Sequence, residues 1–134
     1  MFKMWLEYLF YGDEGFTHRI DHFLKLSELA QKRIESEDQL ELQAERWINN
    51  ICFRSHPTGM DEQNKLNNFN QAVRNELKSN GSTLVNQAYL GKDLTIRLII
   101  SNKNVTSDNI TEFFNLWLIE SKKMEAKWKK EGLF

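Results

Sequence analysis

Few side chains in this 134-residue chain are set up to do chemistry, and Arg97 is the one whose surroundings call for a partner. It lies in a run where Leu94, Ile96, Leu98 and Ile100 alternate with Thr95, Arg97, Ile99 and Ser101. That period of two sends the sets to opposite faces of a β-sheet. A permanent cation in the most apolar strand of the chain is expensive to desolvate alone, so its head must meet water, a carboxylate or a ligand anion. Two readings follow from the residues themselves. In one, the stem lies along the sheet and the head pairs with a surface acid; in the other, the guanidinium is an anion clamp.

The other reactive side chains form no comparable set. His18 and His22 stand four apart on a helical stretch and share a face, but a zinc site needs three or four convergent ligands and Asp21 points elsewhere. Two solvated histidines are the expectation. His56, beside Pro57, has no evident proton to move, and Cys52 alternates in a strand as a small packed residue. Lysines crowd Lys122–Lys130, yet Glu120, Glu125 and Glu131 interleave them and no stacking aromatics accompany them, which describes a solvated helix end. Neither a phosphate-cradling glycine loop nor a nucleophile elbow is present. Arg97 is thus the single binding candidate, with no catalytic, cofactor-binding or metal-ligating residues beside it.

Positioning Arg97 requires a sheet. Two β-type runs flank Gly91-Lys92, a two-residue connection of the glycine-first hairpin type. Earlier, Gln39–Ala44 and Asn50–His56 read as strands around a turn at Arg46–Asn49, and Pro57 closes the second. Asp61–Ser79 is an amphipathic helix with Leu66, Phe69, Val73 and Leu77 on one face and an acidic first turn. A last helix, capped by Thr106 or Ser107, buries Ile110, Phe113, Phe114, Trp117 and Leu118. Ahead of all this, Phe2–Tyr11 and roughly Asp13–Ile34 are helical, separated by a break at Gly12-Asp13-Glu14-Gly15. Phe16, Ile20, Phe23, Leu24 and Ile34 form the stripe expected of the second of these helices. The order is two helices, then β-β-α-β-β-α: an α+β fold whose antiparallel sheet carries helices on one face.

The length suits one core, and a net charge of −1 gives no general pull towards nucleic acid or membrane. One cysteine rules out an internal disulfide framework and suggests a reducing, cytoplasmic setting. No apolar run approaches the ~20 residues that span a bilayer. Met1–Tyr11 lacks the basic start and cleavage site of a secretory signal, so the Asn-x-Ser/Thr triplets at Asn80, Asn104 and Asn109 are read as chance. The abrupt, uncapped start at Phe2 is read as a cut through a longer protein.

In order and spacing the motifs resemble the C-terminal part of the group II pyridoxal-phosphate-dependent decarboxylases, which act on glutamate, cysteine sulfinate, aromatic amino acids or diaminobutyrate. The likeness begins at Phe2-Lys3-Met4-Trp5-Leu6 with Gly12-x-x-Gly15. It runs through Asn50-Ile51-Cys52-Phe53-Arg54, Pro57, Leu66 and Gly81 to Arg97-Leu98-Ile99-Ile100-Ser101-Asn102 and Thr106-Ser107-Asp108-x-Ile110. Val105 departs, standing where many members carry a polar residue. The resemblance implies the small C-terminal domain of a fold-type-I enzyme, with 1–35 as connector helices and 36–134 as the domain proper. It also implies a homo-oligomer that binds pyridoxal phosphate through a lysine, an aspartate and a histidine upstream of Met1, so this chain alone would hold no cofactor. Arg97 matches the arginine that grips the substrate carboxylate. The rival expectation is a stand-alone binding or interaction module with a ferredoxin-like sheet. The two differ in the first helix, which a fragment leaves exposed for its parent domain.

Overall fold

In the computed structural model, which describes residues 2–134, the first helical stretch, α1 (Phe2–Glu35), is broken at Gly12, where the backbone takes φ 64° and ψ −175°. That left-handed φ favours glycine, since a Cβ would crowd the following carbonyl. Gly15 matters for a different reason. A Cβ there would lie 2.7 Å from the Cβ of Tyr11, so the helix can restart only with no side chain at that point. The expected pair of helices is therefore present, joined by a kink at Gly12.

Beyond the break the packed stripe is Leu26, Ala30 and Ile34, with Phe23 partly covered. This corrects the expected stripe: Ile20 is 49% exposed. Residues 26, 30 and 34 repeat every four positions, which keeps them on one side of the helix. Before the break, Met4, Trp5, Leu6, Leu9 and Phe10 are all exposed, Phe10 by 81%.

Four antiparallel strands follow in the order β1-β2-β4-β3: β1 (Leu40–Leu42), β2 (Asn50–Ser55), β3 (Asn86–Leu90) and β4 (Asp93–Ile99). The first strand is shorter than the six residues expected. The β3–β4 register pairs Leu90 with Asp93, leaving Gly91-Lys92 as a two-residue loop with Gly91 at φ 63°. The β1–β2 turn is tighter than a glycine-free sequence suggests, because Ile48 takes φ 54°.

Helices α2 (Gln63–Ser79) and α3 (Ser107–Glu131) join α1 on one face of the sheet. The core gathers Ile51, Phe53, Leu94 and Ile96 from the strands, Leu66, Phe69, Val73 and Leu77 from α2, and Ile110, Phe114, Trp117 and Leu118 from α3. Thr106 caps α3 through a reciprocal box with Asn109. The start of α2 differs from expectation: Glu62 is its N-cap residue without a side-chain capping bond, and no acid lies in its first turn.

One polar cluster is buried within this core. Beyond Phe53, where pairing with β4 ends, the Asn70 side chain takes over as partner to the strand. It accepts from the Ser55 N–H at 2.7 Å and donates to the Ser55 carbonyl at 2.9 Å. The Trp117 indole donates to Ser55 Oγ at 2.8 Å, and Ser121 shares that hydroxyl. One residue of β2 is thereby tied to both α2 and α3, with its backbone groups satisfied.

Candidate functional site

The face of the sheet away from the helices carries Glu41 from β1, Cys52 and Arg54 from β2, Asn86 from β3, and Asp93, Thr95 and Arg97 from β4. Arg97 lies between two neutral neighbours, paired in register with Cys52 on one side and Asn86 on the other. It is half-buried, and its Nε is shut off from solvent with no hydrogen-bond partner. No described carboxylate forms an ion pair with it. A guanidinium has five donors in a planar fork, and with Nε closed off the edge formed by its two Nη groups is what remains for an incoming oxyanion.

Arg54, on the same face, shows what a structurally committed arginine looks like. Its Nε donates to Glu41, its Nη1 to Asp93 at 2.9 Å, and its side chain is 12% exposed. His56 Nδ1 lies 2.9 Å from the second oxygen of Glu41, and Gln63 donates to Asp93. Burial by itself would raise the Glu41 carboxyl, but the bonds from His56 and Arg54 and the attraction of both outweigh it, and the carboxyl ends below its ordinary value. The acids of this face are thus spent on Arg54 and His56, leaving Arg97 uncompensated.

Cys52, considered separately in the sequence, lies directly across from Arg97. Burial pushes its thiol up, opposed by the Arg97 charge and a bond from Thr95, so it is a poor nucleophile at neutral pH. His18 and His22 do share a helix face, far along the chain from Arg97, and among the described residues no three potential ligands converge on a metal position. In the lysine-rich end, Lys123 pairs with Glu120 and Lys129 with Glu125. Arg54 and its acids carried no signal of their own in the sequence, because Glu41 and Asp93 reach it only once three strands are paired. Asn70 did leave a trace: it stands four residues after Leu66, inside an otherwise apolar stripe.

The arrangement can grip a carboxylate through two parallel N–H···O bonds, the geometry for which a guanidinium is suited. It offers no positioned acid, base or nucleophile. The described lysines are exposed, save Lys65, which is half-buried and reaches Glu62 and the carbonyl of Phe134. None is desolvated in an apolar pocket, as a lysine must be to lose its proton and form a covalent bond to a cofactor, so the described residues do not supply the donor set for pyridoxal phosphate.

No family model matches the chain. Among curated proteins it is 25% identical over 123 residues to an L-2,4-diaminobutyrate decarboxylase of Acinetobacter baumannii, covering 92% of this chain and 24% of that one. It is 24% identical over 100 residues to tyrosine decarboxylase 1 of Narcissus pseudonarcissus, covering 71% and 19%. The solved Catharanthus roseus tryptophan decarboxylase in complex with L-tryptophan superposes with a TM-score of 0.81 at 17% identity, covering 91% of this chain and 25% of that chain. The glutamate decarboxylase domain from Vibrio parahaemolyticus does so at 0.76 and 21%, covering 90% and 25%. The fold is that of a decarboxylase C-terminal region. These relatives are group II pyridoxal-phosphate-dependent decarboxylases, and the chain resembles them along nearly its whole length. It spans about a quarter of the length of the decarboxylases it matches.

Proposed function

We propose that this chain is the small C-terminal domain of a pyridoxal-phosphate-dependent amino-acid decarboxylase, contributing Arg97 as the grip on the substrate carboxylate. In this reading 1–35 connects to the large cofactor-binding domain and 36–134 is the small domain, the two sharing a core through Leu26, Ala30 and Ile34. The assembled enzyme is proposed to be a cytoplasmic homo-oligomer, with lysine chemistry supplied by the large domain. No helix among the described residues is long and apolar enough to cross a membrane.

The observation that carries the reading is the contrast between the two arginines of one sheet face. Arg54 is held by two carboxylates, while Arg97 keeps a buried, unpartnered Nε between neutral neighbours. An uncompensated guanidinium at a fixed place on a strand is costly unless a ligand anion completes it.

The Arg97 guanidinium N–H signal reports on such a ligand. Titrating the chain with an amino acid should shift it saturably, the corresponding amino-acid amide should leave it in place, and Arg97→Lys should weaken binding about tenfold through loss of the planar fork. An equal response to acid and amide would end the clamp reading. Separately, carbon dioxide release from an amino acid by purified 1–134 plus pyridoxal phosphate would overturn the fragment reading.

A further inference from the structure

A cavity of about 320 Å³ lies just past the Gly12 break, lined by Tyr11, Gly15, His18, Arg19, His22 and Lys103. Its ionisable lining consists of a guanidinium, an ammonium, two imidazoles and a phenol, with no carboxylate among them. The acid nearest in contact is Glu7, which takes Arg19 Nη1 at 3.3 Å without lining the space. The Arg19 guanidinium carbon lies 4.5 Å from the Tyr11 ring centre and 5.8 Å from that of Phe16. Cation–π contact of this kind holds the charge against the rings while leaving N–H groups for other acceptors.

The opposite wall is equally fixed. His22 Nε2 lies 2.8 Å from the Val105 carbonyl; a carbonyl only accepts, so Nε2 carries a proton and staples the loop after β4 to α1. Within that loop Val105 N–H donates to the Asn102 carbonyl at 3.1 Å and Asn104 N–H to the Asn102 side chain at 2.9 Å, setting the backbone that bears Lys103. Basic groups from α1 and from the loop after β4, more than 80 residues apart in sequence, are thus brought around one space.

We propose that this cavity is a binding site for a phosphate group, held by Arg19 and Lys103 with His18 as a further donor. A tetrahedral oxyanion accepts from several directions at once, which suits donors arranged around a cavity better than a planar carboxylate does. The ring of Tyr11 and the remaining volume leave space for an organic substituent, so the phosphate can arrive free or as a monoester. The site shares no residue with the carboxylate grip, and each can fail without the other.

The test is an NMR titration of the chain at constant ionic strength with inorganic phosphate and with phenyl phosphate, sodium chloride serving as control. Saturable shifts of the His18 and His22 imidazoles and the Lys103 amide are expected at millimolar phosphate or below. Arg19→Gln and Lys103→Gln should each weaken binding about tenfold, the loss of one charge-assisted contact. Lys103 is exposed, so its variant keeps the fold even if loss of Arg19 perturbs α1. Tighter phenyl phosphate supports the site and assigns a monoester; equal affinity supports it and assigns free phosphate. Shifts that fail to saturate with either compound, or binding undiminished by Lys103→Gln, would overturn the proposal.

Discussion

Glu41 accepts from both Arg54 and His56, and that double commitment makes it the titrating centre of the open sheet face. Its carboxyl is lowered in the folded chain, so the stability it adds is fully present above the ordinary glutamate value of 4.5 and is lost as pH falls through the depressed value. Glu41→Gln should therefore destabilise the chain at pH 7 by about 1 kcal/mol, a charge-assisted bond discounted for partial exposure. The difference from the parent chain should shrink in acid. Urea unfolding at pH 7 and pH 3 checks both parts. An unchanged gap at pH 3 would mean that Arg54 is held by Asp93 and packing rather than by the Glu41 charge.

The hairpin between β1 and β2 stores strain that a sequence reading passes over. Ile48 is a β-branched residue at φ 54°, with 55% of its surface exposed, so the left-handed backbone is not offset by side-chain burial. Its carbonyl is fixed by the Ser27 hydroxyl at 2.9 Å and by Arg46 at 3.0 Å, which holds the turn in place. Ile48→Gly should raise stability by about 1 kcal/mol, relief of strain outweighing added freedom in the unfolded chain; a thermal melt measures it. What could be read from the sequence were features that depend on near neighbours. The Gly91-Lys92 turn, the Gly12 break, the Thr106 cap and the apolar stripes of α2 and α3 all rest on spacings of a few residues. Leu26 and Ala30 were missed because which face of a long helix is covered depends on the elements packed against it. At the site, Arg97 stood out as a cation in an apolar run. Its lack of an acid partner could not be read, since it depends on which carboxylates Arg54 and His56 claim across three strands.

At the scale of the molecule, the arm before Gly12 carries Met4, Leu6, Leu9 and Phe10 on its surface. Large apolar side chains exposed in this way drive association when no domain covers them. The isolated chain should self-associate with increasing concentration in light scattering, and Leu9→Lys combined with Phe10→Lys should make it monomeric without altering its melting temperature. A chain already monomeric would favour the stand-alone module instead. The strand order has its own consequence for biosynthesis. The central pair joins residues 50–53 to 96–99, so β2 leaves the ribosome well before the neighbour that covers its inner edge. Until translation delivers β4, the nascent chain presents an unpaired apolar edge, and the middle of the sheet is the last part of it to close.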